Sequence, residues 1–187
     1  MQNRSLLALK ILILVLVSAA VAIFTISATR PPDPADIAKA KSDLAQLVAA
    51  VQKYKQDYGH YPAGGSYGRY ENVVSNALLI KVLTANNDVE NPKKIKYLDI
   101  PQSILTSRSS AYGIDKKDGA WKDPWSWPYR VRVTTDGSDQ VTNPYSGDSD
   151  KTIPQAVIAW SIGRDGIQGN WRAPNTFNGS DDVVSWK

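Results

Sequence analysis

The sequence predicts an α+β chain: an N-terminal apolar helix, then a long amphipathic helix packed on a small antiparallel sheet. Three observations carry that reading. Residues 6–28 contain one charge, Lys10. Apolar residues between positions 37 and 58 recur at helical spacing. Toward the C-terminus, short alternating or apolar runs are separated by stretches rich in Asp, Gly, Ser and Asn.

The first run is uncharged from 11 to 28, about the minimum for a helix that crosses a bilayer. Lys10 lies near enough to its end to reach the headgroups. Ala20-Val21-Ala22 has the small residues of a signal-peptidase site, but Ile23, Phe24 and Ile26 continue the apolar run beyond it. That continuation favours an uncleaved anchor over residues 1–30. Arg4 and Lys10 orient its N-terminus to the cytoplasm and place residues 31–187 outside as one exported domain.

Arg30-Pro31-Pro32-Asp33-Pro34 interrupts one helix and opens another. Asp33 can cap, Pro34 suits the first turn, and Asp36 complements the dipole. Over 35–58, Ile37, Leu44, Leu47, Val48, Val51, Tyr54 and Tyr58 form one stripe. Lys39, Lys41, Asp43, Lys53 and Lys55 fall mostly between them. Gly59 ends the helix and Pro62 prevents its return. A short helix is expected over 72–84, with Val73, Val74, Leu78, Leu79, Val82 and Leu83 on one side. Residues 93–100 read as an extended stretch. Asp123-Pro124-Trp125-Ser126-Trp127-Pro128-Tyr129 reads as a rigid corner, followed by a strand over 129–135. In that strand Val131 and Val133 face one way and Arg130 and Arg132 the other. Residues 136–154 read as a loop and 153–162 as the next strand.

Composition narrows the function. Cysteine is absent, which excludes disulfides and thiolate metal sites. One histidine, His60, argues against a zinc site or a Ser-His-Asp hydrolase, and it reads as a surface residue. No Walker-type loop, metal-hydrolase helix motif or nucleophile elbow is present, so the chain reads as a non-enzyme. The net charge of +4 overstates its basicity. Arg4, Lys10 and Arg30 belong to the N-terminal segment; with those three of the 22 basic residues set aside, 19 face 18 acids, a net of +1. That balance does not support a nucleic-acid surface.

The last segment carries the chemistry. Trp160-Ser161-Ile162-Gly163-Arg164-Asp165-Gly166 is an apolar run entering a tight turn, and Asp181-Asp182-Val183-Val184-Ser185-Trp186 returns with further carboxylates. A hard cation takes several oxygens from side chains and backbone together, and this arrangement can offer them. The residues alone read equally well as an Asp-Gly turn with solvated acids.

Three motifs resemble the type II secretion pseudopilins of the type IV pilin-like superfamily. They are the helix end from Leu47 to Tyr61-Pro62, the corner at 123–129 with Ser126 where the family has glycine, and the C-terminal S-x-G-x-D-G with its later D-V-x-x-W. The resemblance implies a pilin-like helix on a sheet and a structural Ca2+. Its ligands would be Asp165 and Asp182, with the carbonyls of Ile162 and Ile167, and Asp181 and Ser180 as further donors. It also implies a single-pass protein of the bacterial inner membrane with a periplasmic domain. Its partners would be other pseudopilins, copies of itself and inner-membrane components of the secretion system. The chain departs from the family at Arg4-Ser5-Leu6-Leu7-Ala8-Leu9-Lys10-Ile11, which has neither the leader glycine nor the glutamate beyond it. The loop containing Trp171, Pro174 and Phe177 is longer than the family's.

The six tryptophans cluster between 121 and 186. Trp125, Trp160 and Trp186 are expected in the core between sheet and helix. Trp171, in a polar loop, is the best candidate for an exposed contact. An alternative reading is therefore a membrane-tethered surface module outside any fibre, binding glycan or protein through exposed tryptophans.

Overall fold

In the computed structural model the local signals for the long helix all operate. Helix α1 spans Pro34–Tyr58. The Asp33 carboxylate accepts from the Ala35 N–H, Pro34 occupies the first turn, and Gly59 closes the helix in the left-handed region at φ 78°. The structure describes residues 32–62, 69–70, 73–100, 104–105, 111–134 and 137–187. The anchor expected over 1–30 lies outside them, as do the side chains of Val73 and Val74. Among the described residues no helix is long and apolar enough to cross a membrane.

The remaining elements are short. They are β1 (Arg69–Tyr70), α2 (Val73–Leu83), β2 (Ile104–Leu105), β3 (Ala111–Ile114), β4 (Trp121–Lys122) and β5 (Arg130–Val133). There follow β6 (Val141–Thr142), β7 (Thr152–Ile153), β8 (Val157–Ser161), β9 (Gly169–Asn170), β10 (Ala173–Pro174) and β11 (Val183–Val184). The central antiparallel sheet runs β1-β5-β8-β11, with Val131 opposite Ala159 and Val184 opposite Trp160. A β2-β3-β4 meander and the ribbons β6-β7 and β9-β10 complete the architecture. Asp33–Lys187 is one compact unit.

Helix α1 lies across β8 and β11. Leu44, Leu47, Val51 and Tyr54 from the helix meet Val131, Val133, Val157, Ala159 and Val183 from the sheet, and α2 adds Leu79, Val82 and Leu83. A second core covers the opposite face: Val141, Tyr145, Ile153, Ile158, Trp160, Ile162 and Val184, with Phe177 and Trp186 packed against them. Every residue of β8 is consequently buried.

Several expectations change. Trp160 and Trp186 belong to this second core and not to the layer between sheet and helix; Trp125 does pack on the helix side. The alternation along β8 decides it, since Val157 and Ala159 face α1 and put Ile158 and Trp160 behind. The strand expected over 153–162 is two strands parted at Pro154, and the expected loop 136–154 contains the β6-β7 ribbon. Residues 94–100, expected as an extended stretch, carry no regular element, and the N–H groups of Tyr97 and Leu98 share the Leu83 carbonyl at the end of α2. Asp43, expected among the surface charges, is buried, accepts from the Tyr129 hydroxyl at 2.8 Å and pairs with Lys39. Val131 and Val133 are buried, and Arg130 and Arg132 occupy the alternate positions.

Candidate metal centre

The turn at 163–166 is built by its glycines. Gly163 (φ 67°) and Gly166 (φ 71°) both adopt left-handed backbone, and neither has room for a β-carbon. At Gly163 it would strike the Asp181 carboxylate; at Gly166 it would strike the Trp127 indole. The turn is thus pressed between the returning chain and the 123–128 corner.

Each expected donor has a definite place. Asp165 caps its own turn, its carboxylate accepting from the Ile167 N–H at 2.8 Å. Asp181 crosses over, one oxygen accepting from the N–H groups of Arg164 (2.8 Å) and Asp165 (3.2 Å). Asp182 is buried, and its Oδ2 accepts from the Tyr145 hydroxyl and the Gly169 N–H, each at 2.7 Å. Ser180 donates to the Phe177 carbonyl at 2.7 Å, which ties its hydroxyl into the loop. Ile162 is buried in the second core, whereas Ile167 is exposed.

Two features distinguish this cluster from ordinary surface acids. Asp181 Oδ1 and Asp182 Oδ1 are both buried with no hydrogen-bond partner. A buried carboxylate oxygen left without a donor is costly. The acids also press on one another. Burial pushes the Asp182 carboxyl up to about 6, the Tyr145 and Gly169 bonds opposing and the Asp181 and Asp165 charges adding. Asp165 is also raised, first by loss of solvent around its carboxylate and then by Asp181. The solvated-acid reading therefore fails for Asp182. Unmet oxygens with mutual repulsion suit a cation. Among the described residues no group of three or more His, Asp or Glu side chains is arranged to hold a metal ion by itself. A site here must draw on backbone carbonyls as well.

The rest of the loop is clamped from 144–148. Gln168 donates to the Pro144 carbonyl, Gly147 N–H to the Asn175 carbonyl, and Phe177 N–H to Asp148, all at 2.8–2.9 Å. Trp171 is 66 % exposed and carries the Arg172 guanidinium over its ring.

Tyr145 and Asp123 also belong to this centre, Tyr145 through its bond to Asp182 and Asp123 through the Asp181 charge that acts on it. Asp123 is fully buried, and its carboxyl is pushed up to about 7, mainly by burial. An Asp before Pro is an available signal for a side chain that caps a turn. Nothing in the sequence marks Tyr145. Set against known proteins, the chain matches no family model and no curated protein.

Proposed function

We propose that the chain is a structural, non-enzymatic subunit of a type II secretion or type IV pilus-type assembly. It would be anchored by residues 1–30 and present a calcium-stabilised domain in the periplasm. The observation that carries the ion is the pair of buried, unmet oxygens on Asp181 and Asp182 beside the Asp165 turn. Asp165, Asp181 and Asp182 supply the charge, with the carbonyls of Ile162 and Ile167 and the Ser180 hydroxyl as further oxygen donors. A bound Ca2+ would neutralise the carboxylates and tie the long loop to the end of β8. The long helix capped by Asp33 and laid across a small antiparallel sheet supports the pilin-like part of the reading.

Two measurements test the two halves. Thermal melts of the full-length chain in mild detergent should rise with excess calcium over chelator, and the rise should vanish in Asp182→Ala. Identical melts would remove the ion. For assembly, the natural absence of cysteine allows single cysteines to be introduced between residues 11 and 28. Oxidative cross-linking with native partners present should give a ladder of products, and no ladder would eliminate the fibre role.

Trp171 favours a second reading, a tethered module that binds glycan by stacking on an exposed indole. Envelope polysaccharide should then quench tryptophan fluorescence in the parent and not in Trp171→Ala. An unperturbed parent spectrum would dismiss it.

A further inference from the structure

The corner at 123–128 reaches the ion turn at both of its glycines, at Gly163 through Ser161 and at Gly166 directly through Trp127, and one side chain organises both links. Asp123 sits between β4 and β5 at 0 % exposure. Its Oδ1 accepts from the N–H groups of Trp125 and Trp127, each at 2.9 Å. Its Oδ2 accepts from the Ser161 hydroxyl. Ser161, at the end of β8, in turn accepts from the Gly163 N–H at 3.1 Å. Trp127, held by Asp123 at its N–H and at its carbonyl, lays its ring against Gly166.

We infer that Asp123 is a positioning residue of the cation loop, acting through Ser161 on Gly163 and through Trp127 on Gly166. This rests on the calcium reading of Asp165, Asp181 and Asp182. The chemistry explains why a charge stands here. An asparagine could accept both tryptophan N–H bonds, so the turn alone does not call for a carboxylate. Once deprotonated, as above pH 7, the carboxylate only accepts, which obliges Ser161 to donate toward Asp123 and leaves its lone pairs for the Gly163 N–H. That orientation sets the peptide plane between Ile162 and Gly163, and with it the Ile162 carbonyl. Once ionised, the carboxylate also adds negative potential beside the loop, where its repulsion with Asp181 is relieved by a proton or by a cation. An asparagine amide would donate to Ser161 and compete with Gly163 for the hydroxyl oxygen.

The test is calcium titration of the full-length chain in mild detergent, read by calorimetry, together with melts in chelator, for the parent and Asp123→Asn. The inference expects calcium affinity to fall about tenfold or more. It also expects the chelated melt to be no lower than the parent's, because a repelling buried charge has been removed. A purely structural corner would lower both melts alike and leave the affinity unchanged, which would overturn it. If Asp123→Asn does not fold, Ser161→Ala decides. That variant keeps the two tryptophan bonds and removes the hydroxyl that joins Asp123 to Gly163, so weakened binding supports the inference and parental binding overturns it. A parent that binds no calcium would remove the ion reading and this inference together. A parent that binds beside an equally tight Asp123→Asn removes this inference alone.

Discussion

Ser126, in the 123–129 corner, has a left-handed backbone at φ 76°. Its hydroxyl is buried and meets no partner. An L-residue in that region carries a penalty of about 1–2 kcal/mol that glycine does not. Ser126→Gly should therefore raise stability by about 1 kcal/mol in urea unfolding, the gain being reduced by glycine's freer unfolded chain. A lowered midpoint would show that the corner tolerates serine without strain. Elsewhere single polar residues anchor whole segments. Asn91 is buried; its amide donates to the carbonyls of Val82 and Ile95, and its oxygen accepts from Tyr58 and the Ile95 N–H. Asn76 similarly joins α2 to the carbonyl of Tyr129 and the N–H of Trp121. Such residues satisfy buried backbone groups that no regular ladder reaches.

Among the elements, β8 has the most demanding position. It pairs with β5 on one side and β11 on the other, and has a core on each face. A sheet with one solvated face would tolerate truncation of alternate residues. Here both sets should be sensitive: Ile158→Ala is expected to cost about 2–5 kcal/mol by denaturant unfolding, comparable with Leu47→Ala in α1. A loss under about 0.5 kcal/mol at Ile158 would mean that the second core does not contribute as packed. The burial of β8 also determines where the 163–166 turn can be. Ser161 is its last residue, and Ser185 on the returning chain closes on Ala159 through both its N–H and its hydroxyl, so the turn and Asp181-Asp182 are held together by the sheet edge.

For the whole molecule, the buried acids make stability depend on pH, with a sign that calcium should oppose. Asp123 is raised to about 7 and Asp182 to about 6, in both cases chiefly by burial. The folded protein then holds protons that the unfolded chain releases near pH 4. Their contribution to stability is complete below that pH and is lost as pH rises through 6 and 7. Calcium needs the deprotonated carboxylates, so its stabilisation should grow over the same window. The gap between calcium and chelator melts is expected to widen from pH 5 to 8; a constant gap would mean that Asp182 does not ligate the ion.

The chain order alone determined α1 and the corner, because their signals are local: Asp33 and Pro34 at the start, Gly59 at the end, a stripe from Leu44 to Tyr54, and Asp-Pro-Trp at 123. It also placed the candidate oxygen donors in one turn and its return. The tertiary structure decided which acids are buried and which face of the sheet each tryptophan covers. Asp43 finds Tyr129 at a separation of 86 residues, Asp123 finds Ser161 at 38, and Asp182 finds Tyr145 at 37. Periodicity describes a residue's own element, and it cannot register a partner brought from another strand. Asp43 between lysines therefore read as solvent-facing, and Asp182 beside Asp181 left a solvated turn open. Only the sheet brings the hydroxyls of Tyr129, Ser161 and Tyr145 to these buried carboxylates, and a hydrogen-bond donor at that distance is what makes their burial affordable.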